Sequence, residues 1–361
     1  MDFRSDNVTG ACPEIMRALD EANRGSVSSY GDDEWSRGLE PAFAALFETP
    51  VRVFPVATGS AANSLGLAAL TPPWGAIYCH RHAHIEEDEC GAPEFYTGGA
   101  KLVLIDGEHG RIGAEALAET LALAGTGVQH HVQPAAVSLT QASESGTCYR
   151  PAELAAIAEV CRRHSLPLHM DGARFANAVR FLNCSPAEAS WRAGVDVLSF
   201  GATKNGALAA EAVVFFKPEL ADDFLYRRKR AGHLFSKMRF LSAQLAAYLQ
   251  DGLWLRNAAQ ANAMAQRLAA GLVKLRGAVL EHPVEANEVF VTLPEAVIRA
   301  LQTAGFLFHR WGGPTATTIR LVTAFNTDPA SVDRLILAAT AALGGRPAGR
   351  ANKSTAAKAG S

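Results

Sequence analysis

The chain has 361 residues, 48% of them hydrophobic and 19% charged, enough for one large domain and a smaller one of ordinary globular composition. Its net charge of −2 gives no electrostatic ground for expecting nucleic acid or an anionic membrane as partner. No stretch approaches a membrane span, the first residues lack the apolar core of a signal peptide, and the six irregularly spaced cysteines do not read as a disulfide framework. A reducing, cytoplasmic setting is the expectation.

Short β-rich runs alternate with helical patterns through the first 220 residues or so. "VRVFPV" (51–56) precedes "AANSLGLAAL", "AIYCH" (76–80) precedes a polar, acidic stretch, and "KLVLID" (101–106) precedes "GAEALAETLALAG". "AAVSLT" (135–140) leads to a helix entered through Pro151, a favoured first-turn residue. "LPLHMD" (166–171), "VDVLSF" (195–200) and "AVVFF" (212–216) follow. Such alternation predicts an α/β fold with a mostly parallel central sheet covered by helices, and the all-apolar "AVVFF" suits a covered strand. Residues 219–275 read as mainly helical. Residues 277–345 read as strand, helix, two strands and helix, a smaller α+β unit. The expected division is an N-terminal segment 1–30 that reaches the active site, a large domain 31–250, a small domain 251–345 and a disordered basic tail 346–361.

In an open parallel sheet, ligands bind at the carboxyl ends of the strands, and three such ends carry chemistry. After the first comes Thr58-Gly59-Ser60, where free N–H groups at a helix start suit a phosphate; the plainer alternative is a turn with Ser60 as N-cap. After "LPLHM" come Asp171 and Arg174; the carboxylate could hold a cationic ring nitrogen, or simply cap a helix beside a solvated arginine. After "VDVLSFGA" come Thr203 and Lys204, the only lysine between Lys101 and Lys217. A lysine among apolar neighbours suits an amine nucleophile that forms Schiff bases; alone, it could equally be a surface lysine. Together, a phosphate cradle, a carboxylate for a pyridinium nitrogen and a Schiff-base lysine make a pyridoxal phosphate site.

With these residues in hand, the sequence strongly resembles the threonine aldolase branch of the fold-type I pyridoxal phosphate enzymes, in the beta-eliminating lyase superfamily. The resemblance runs from "DFRSDNVTG" to "TIRLVTAF" (318–325). Its landmarks include "YGDDE" (30–34), "TGSAAN" (58–63), "HAHIEEDECGAPEF", "HMDGARFANA" (169–178) and "TKNG" (203–206). It implies that Lys204 carries the cofactor, Asp171 faces the pyridine nitrogen, and Gly59, Ser60 and Thr203 line its site, with Lys229 or Arg239 helping at the phosphate. His84 would stack on the ring, near the substrate hydroxyl, and Glu89 would lie near the ring's 3-hydroxyl. Ser5, Arg174 and Arg320 would grip the substrate carboxylate, a task that suits arginine's planar fork. Tyr30 would wall the substrate pocket, and active sites would lie at the interface of a homodimer or homotetramer. Thr203 stands where common members carry serine. A second histidine near the hydroxyl is missing from "SLTQASESGTCY" (138–149), where Gln141 is a candidate stand-in.

The implied activity is retro-aldol cleavage of L-β-hydroxy-α-amino acids to glycine and an aldehyde, as in the low-specificity L-threonine and L-phenylserine aldolases, with His84 as candidate base for the hydroxyl. Other readings give different chemistry. His80, His82 and His84 would alternate onto one face if their strand continued, and could then bind a metal; no metal is expected. A desulfurase would need a mobile cysteine, and neither Cys90 nor Cys148 lies in such a loop. An aminotransferase on the same fold remains the main chemical alternative, and a non-catalytic protein has no need of Lys204, Asp171, Arg174 and Arg320 together.

Overall fold

The computed structural model describes residues 1–344, so the expected tail 346–361 lies outside the described residues. Seven strands form the large sheet: β1 (Arg52–Val56), β2 (Gly75–His80), β3 (Lys101–Ile105), β4 (Gln133–Thr140), β5 (Leu168–Gly172), β6 (Val197–Gly201) and β7 (Glu211–Phe215). Their spatial order is β1-β7-β6-β5-β4-β2-β3. From β6 to β3 the pairs are parallel, as the alternating sequence predicts. The run "AVVFF" differs, because β7 is antiparallel to both β1 and β6. The physical reason is the short 202–210 connection, which has no room for the crossover of a dozen or more residues that a parallel pair requires. Reversal places the start of β7, Glu211, level with the carboxyl ends of the other strands.

Helices cover both faces. The helix Gly59–Leu70 is buried from Ala61 to Ala68, and its small residues let it lie close against β6 and β7. On the other face, Phe43, Phe47, Phe175, Phe200, Tyr248 and Trp254 form an aromatic core, with Phe43 and Phe200 edge to face at 5.1 Å. No helix among the described residues is long and apolar enough to cross a membrane.

A second, antiparallel sheet comprises β8 (Val279–Leu280), β9 (Glu288–Thr292), β10 (His309–Arg310) and β11 (Thr318–Val322), in the order β10-β11-β9-β8. "VLEH" and "FLFHRW" thus yield only two-residue strands. Helices Glu295–Thr303 and Pro329–Gly344 and the end of Leu253–Leu272 close its core. Phe3 packs into this core: its N–H donates to Leu307 O (2.8 Å) and its carbonyl accepts from Val322 N (2.8 Å). The amino terminus is thereby stitched to the small unit and runs on to the large sheet, carrying Ser5, Asp6 and Asn7 to the space between them.

Candidate active site

The carboxyl ends of β1, β5 and β6, the start of β7 and the segment after β2 converge on a cavity of about 250 Å³. Gly59, Ser60, His84, Asp171, Thr203 and Lys204 all line it, as the sequence analysis expects, together with Asn7, Asn63, Glu144 and Glu211.

Asp171 ends β5 and is 3% exposed. Its Oδ2 accepts from Asn63 Nδ2 (2.7 Å) and its Oδ1 from Ala173 N (3.0 Å), yet no cation among the described residues pairs with it. A buried carboxylate so placed calls for a positively charged partner in the cavity. Asn63 Nδ2 also donates to Glu89 Oε1 (2.8 Å), which in turn lies 2.8 Å from His84 Nδ1. Hydrogen bonding to Glu89 raises the His84 pKa, while burial raises that of Glu89.

The histidine run does not gather into a metal site. The strand ends at His80, whose Nε2 lies 3.1 Å from Gly107 O, and His82 Nδ1 turns away to Glu87 Oε1 at 2.6 Å. His84, Glu89 and Asp171 do bring ligating atoms within 4.8 Å of one another, but Asn63 and the His84–Glu89 contact already link them.

Lys204 sits in the turn between β6 and β7. Its neighbour Asn205 is locked by Nδ2 donating to Tyr248 Oη (2.6 Å) and Trp254 O (2.8 Å). Gly206 takes φ +110°, and a Cβ there would come within 2.7 Å of Asn257 Nδ2. Glu211 Oε2 accepts from Ala202 N (2.7 Å), tying the turn to β7. Burial pushes the Glu211 pKa up to about 7, against the pull of the Thr203 and Ala202 hydrogen bonds and the Lys204 cation. Half-buried Lys204 has no hydrogen bond or ion pair among the described residues. Its amine is left to the cavity.

Thr58, rather than Ser60, caps the helix Gly59–Leu70, its side chain accepting from Ala61 N (3.2 Å). Among the described residues, the N–H groups of Gly59 and Ser60 have no protein acceptor at the positive end of a twelve-residue helix.

Beside the cavity, Arg174 is 6% exposed and donates from Nε and Nη2 to Asp6 (2.8 and 3.0 Å), with Glu288 at 3.4 Å from Nη1. Burial disfavours the Arg174 charge, but Asp6 and Glu288 more than compensate and its pKa rises. For Asp6, too, burial opposes ionisation; Arg174 and Lys204 outweigh it and its pKa falls. Arg320 Nη2 reaches Glu288 Oε1 at 3.1 Å. The two arginines expected at the substrate carboxylate are therefore neighbours, each held by protein carboxylates. Ser5 caps the short turn Asp6–Val8, accepting from Asn7 N.

Ser5, Glu89, Arg174 and Arg320 thus stand outside the lining itself, and Tyr30, Lys229 and Arg239 are engaged elsewhere in this chain. Lys229 lies 4.6 Å above the Tyr30 ring, and both line a separate surface recess with Phe235 and Ser236. Tyr30 N donates to Ser236 O (3.0 Å), which fixes it there. Arg239 Nη1 turns to Gly25 O (3.5 Å). The basic segment reaches the β1 turn through other residues: Ala57 N donates to His233 Nδ1 (3.3 Å) and Arg228 Nη1 to Pro55 O (3.4 Å). Gln141 is also corrected. It is fully buried, with Nε2 donating to Tyr149 O and Oε1 accepting from Tyr149 N, each at 2.9 Å. From that segment Glu144 faces the cavity instead.

A family model described as beta-eliminating lyase matches residues 2–296. The chain belongs to this family. A low specificity L-threonine aldolase of Pseudomonas aeruginosa is 49% identical over 326 residues, 90% of this chain and 93% of that one. Another of the same name, from Pseudomonas sp. strain NCIMB 10558, is 46% identical, covering 92% of this chain and 95% of that one. The solved threonine aldolase of Leishmania major superposes with a TM-score of 0.88 at 26% identity, covering 94% and 98% of the two chains. This beta-eliminating lyase has the fold of the fold-type I pyridoxal phosphate enzymes, and pyridoxal phosphate is its cofactor. The cavity fits that group at each end: among the described residues Asp171 lacks a cation, Lys204 lacks a partner, and Gly59 and Ser60 offer unused donors. They match a protonated ring nitrogen, an aldehyde carbon and a phosphate.

Proposed function

We propose that this carbon–carbon lyase cleaves L-β-hydroxy-α-amino acids, L-threonine, L-allo-threonine and L-phenylserine among them, to glycine and an aldehyde by a retro-aldol step. The observation that carries the reading is the unpartnered Lys204 amine in one cavity with the cation-free Asp171 carboxylate; the names of the Pseudomonas relatives supply the substrate class. Bound at this site, pyridoxal phosphate supplies an electron sink for the pair released from the Cα–Cβ bond.

The chain's own residues orient and protect that step. Asp171 holds the proton on the ring nitrogen, and Asn63 fixes the carboxylate that does so. The His84 ring, anchored by Glu89, covers one face of the cofactor. Gly59, Ser60 and Thr203 hold the phosphate end. Arg174, Arg320 and Ser5 bind the substrate carboxylate, the two arginines exchanging part of their contact with Glu288 for it, and so set which Cα bond is aligned for cleavage. Tyr30, Lys229 and Arg239 act in the site of a second copy of the chain, in a homodimer or homotetramer. Six free cysteines support a reducing cytoplasm.

The deciding experiment is glycine release from L-threonine and L-phenylserine, at equal concentrations, by cofactor-loaded protein. Release from both is expected, and the rate ratio reports whether the pocket favours a methyl or an aryl group. No glycine from either, with keto-acid-dependent amine transfer in its place, would overturn the reading.

A further inference from the structure

Cleaving a β-hydroxy amino acid requires a group that takes the hydroxyl proton, within direct or one-water reach. Five ionisable side chains line the cavity: His84, Glu144, Asp171, Lys204 and Glu211. Four are committed. Lys204 would take the cofactor's aldehyde carbon and Asp171 its ring nitrogen. Glu211 holds Ala202 N across the β6–β7 turn. His84 Nδ1 is already engaged by Glu89 Oε1 at 2.8 Å. Glu144 is the one left with neither a hydrogen-bond partner among the described residues nor a part in holding the cofactor.

Its placement is fixed by backbone. β4 ends beside Asp171, and residues 143–147 then form a tight turn. Ser143 N donates to Thr147 O (2.8 Å) and Gly146 N to Ser143 O (2.8 Å). The Ser143 and Thr147 hydroxyls both donate to His109 O, at 3.0 and 2.7 Å. Every other polar side chain of the turn from Gln141 to Thr147 with a described hydrogen bond points into protein. Glu144 points into the cavity.

Resting on the aldolase reading, we propose that Glu144 is the proton acceptor for the substrate β-hydroxyl. The hydroxyl proton passes to the Glu144 carboxylate, the C–O bond becomes the aldehyde carbonyl, and the Cα–Cβ electron pair passes to the cofactor. The proton that Cα gains as glycine forms balances the one removed. The charge setting suits the task. Burial pushes the Glu144 pKa up to about 7; Lys204 and His84 pull it down, and Asp171 and Glu288 push it further up. Arg174 also faces it. A carboxyl so poised is part-ionised at neutral pH and a stronger base than an ordinary glutamate.

The test compares wild-type, Glu144→Gln, Glu144→Asp and His84→Ala holoenzymes. For Glu144→Gln, kcat for glycine release from L-threonine is expected to fall by roughly 10²–10⁴-fold. Cofactor binding and glycine binding, both followed by absorbance titration, should stay near wild type. So should exchange of the glycine α-proton in heavy water, which needs no hydroxyl proton transfer. Glu144→Asp should recover part of the loss. The wild-type pH profile should rise through about pH 7 as the carboxylate ionises, a limb that His84→Ala keeps and Glu144→Gln lacks. Retention of more than about a tenth of wild-type kcat by Glu144→Gln overturns the proposal. So does loss of α-proton exchange and cofactor binding in step with cleavage, which marks a structural role. A wild-type enzyme that binds cofactor but releases no glycine overturns the aldolase reading itself.

Discussion

Asp6 and Arg174 are 168 positions apart in sequence and share two hydrogen bonds in a buried site. A pair like this contributes less than its short distances suggest, because both charges have left water; removing one partner alone is what is costly. Asp6→Asn should therefore destabilise the cofactor-free protein by about 3–5 kcal/mol, read as a lowered urea midpoint with an unchanged slope. The same pair adds an acid sensitivity. Since the folded Asp6 pKa lies below its ordinary value, its contribution is complete above about pH 4 and fades as pH falls towards the folded value. The acid limb of wild-type stability should be shallower in Asp6→Asn. Single residues were legible in the sequence where an unusual type stands at a strand end: Lys204, Asp171 and the glycine-serine turn. Glu144 was missed because its signal lay one turn further on, where Gln141 is the nearer polar residue to the strand. Gln141 instead serves the backbone of Tyr149, a pairing that spacing alone does not disclose. Asn63 lay among small residues of its helix, with no sign of a site role of its own, so its place as the link between Asp171 and Glu89 was also hidden.

At the scale of elements, β5, β6 and β7 act as a frame that sets the separation of Asp171 and Lys204. Gly201 closes β6, and a Cβ there would come within 2.5 Å of Ala173 O and 2.7 Å of its Cα. Both are backbone atoms, so relief requires one strand end to move. Gly201→Ala should cost about 1–3 kcal/mol of stability, as overpacking does, and should weaken cofactor binding as well, because Asp171 and Lys204 shift relative to each other. Glu211 makes the complementary case. Glu211→Ala removes a hydrogen bond to a charged group, worth about 1.5–3 kcal/mol, from the turn that presents Lys204. Cofactor affinity should fall by roughly ten- to a hundredfold, and Glu211→Gln, which still accepts from Ala202 N, should recover most of it. Equal affinity in all three proteins would remove Glu211 from the support of the turn. The order of strands and helices was legible from alternating patterns, but the antiparallel character of the small sheet was not. The direction of β7 was not, since an all-apolar strand looks the same either way; the information was in the length of the 202–210 connection. That reversal is also what brings a carboxylate from the beginning of a strand into a site otherwise built from strand ends.

The whole molecule leaves one arrangement that a single chain does not use. Tyr30, Lys229 and Phe235 border a recess outside the catalytic cavity, and large side chains there are open to solvent, Tyr226 on the basic segment at 71% and Tyr30 itself at 50%. Arg239 Nε is buried without a hydrogen bond among the described residues. Aromatic groups and arginines in such positions suit contact with another subunit. In a two-fold dimer each such contact occurs twice, so each chain can lend its recess to the other's cavity. Co-expression of two inactive chains tests this directly. Lys204→Ala lacks the cofactor-binding amine, and a Tyr30→Ala, Lys229→Ala double variant lacks the lent residues. Each alone should be inactive or nearly so. Under random pairing, half of the dimers are mixed, and each mixed dimer holds one complete site and one doubly defective site. The mixture should therefore recover about one quarter of the wild-type glycine-release activity, and size-exclusion chromatography should place that activity in the oligomer peak. Full activity of the Tyr30, Lys229 variant by itself would show that the recess takes no part in catalysis. An inactive variant with no recovery on mixing would place both residues in the site of their own chain.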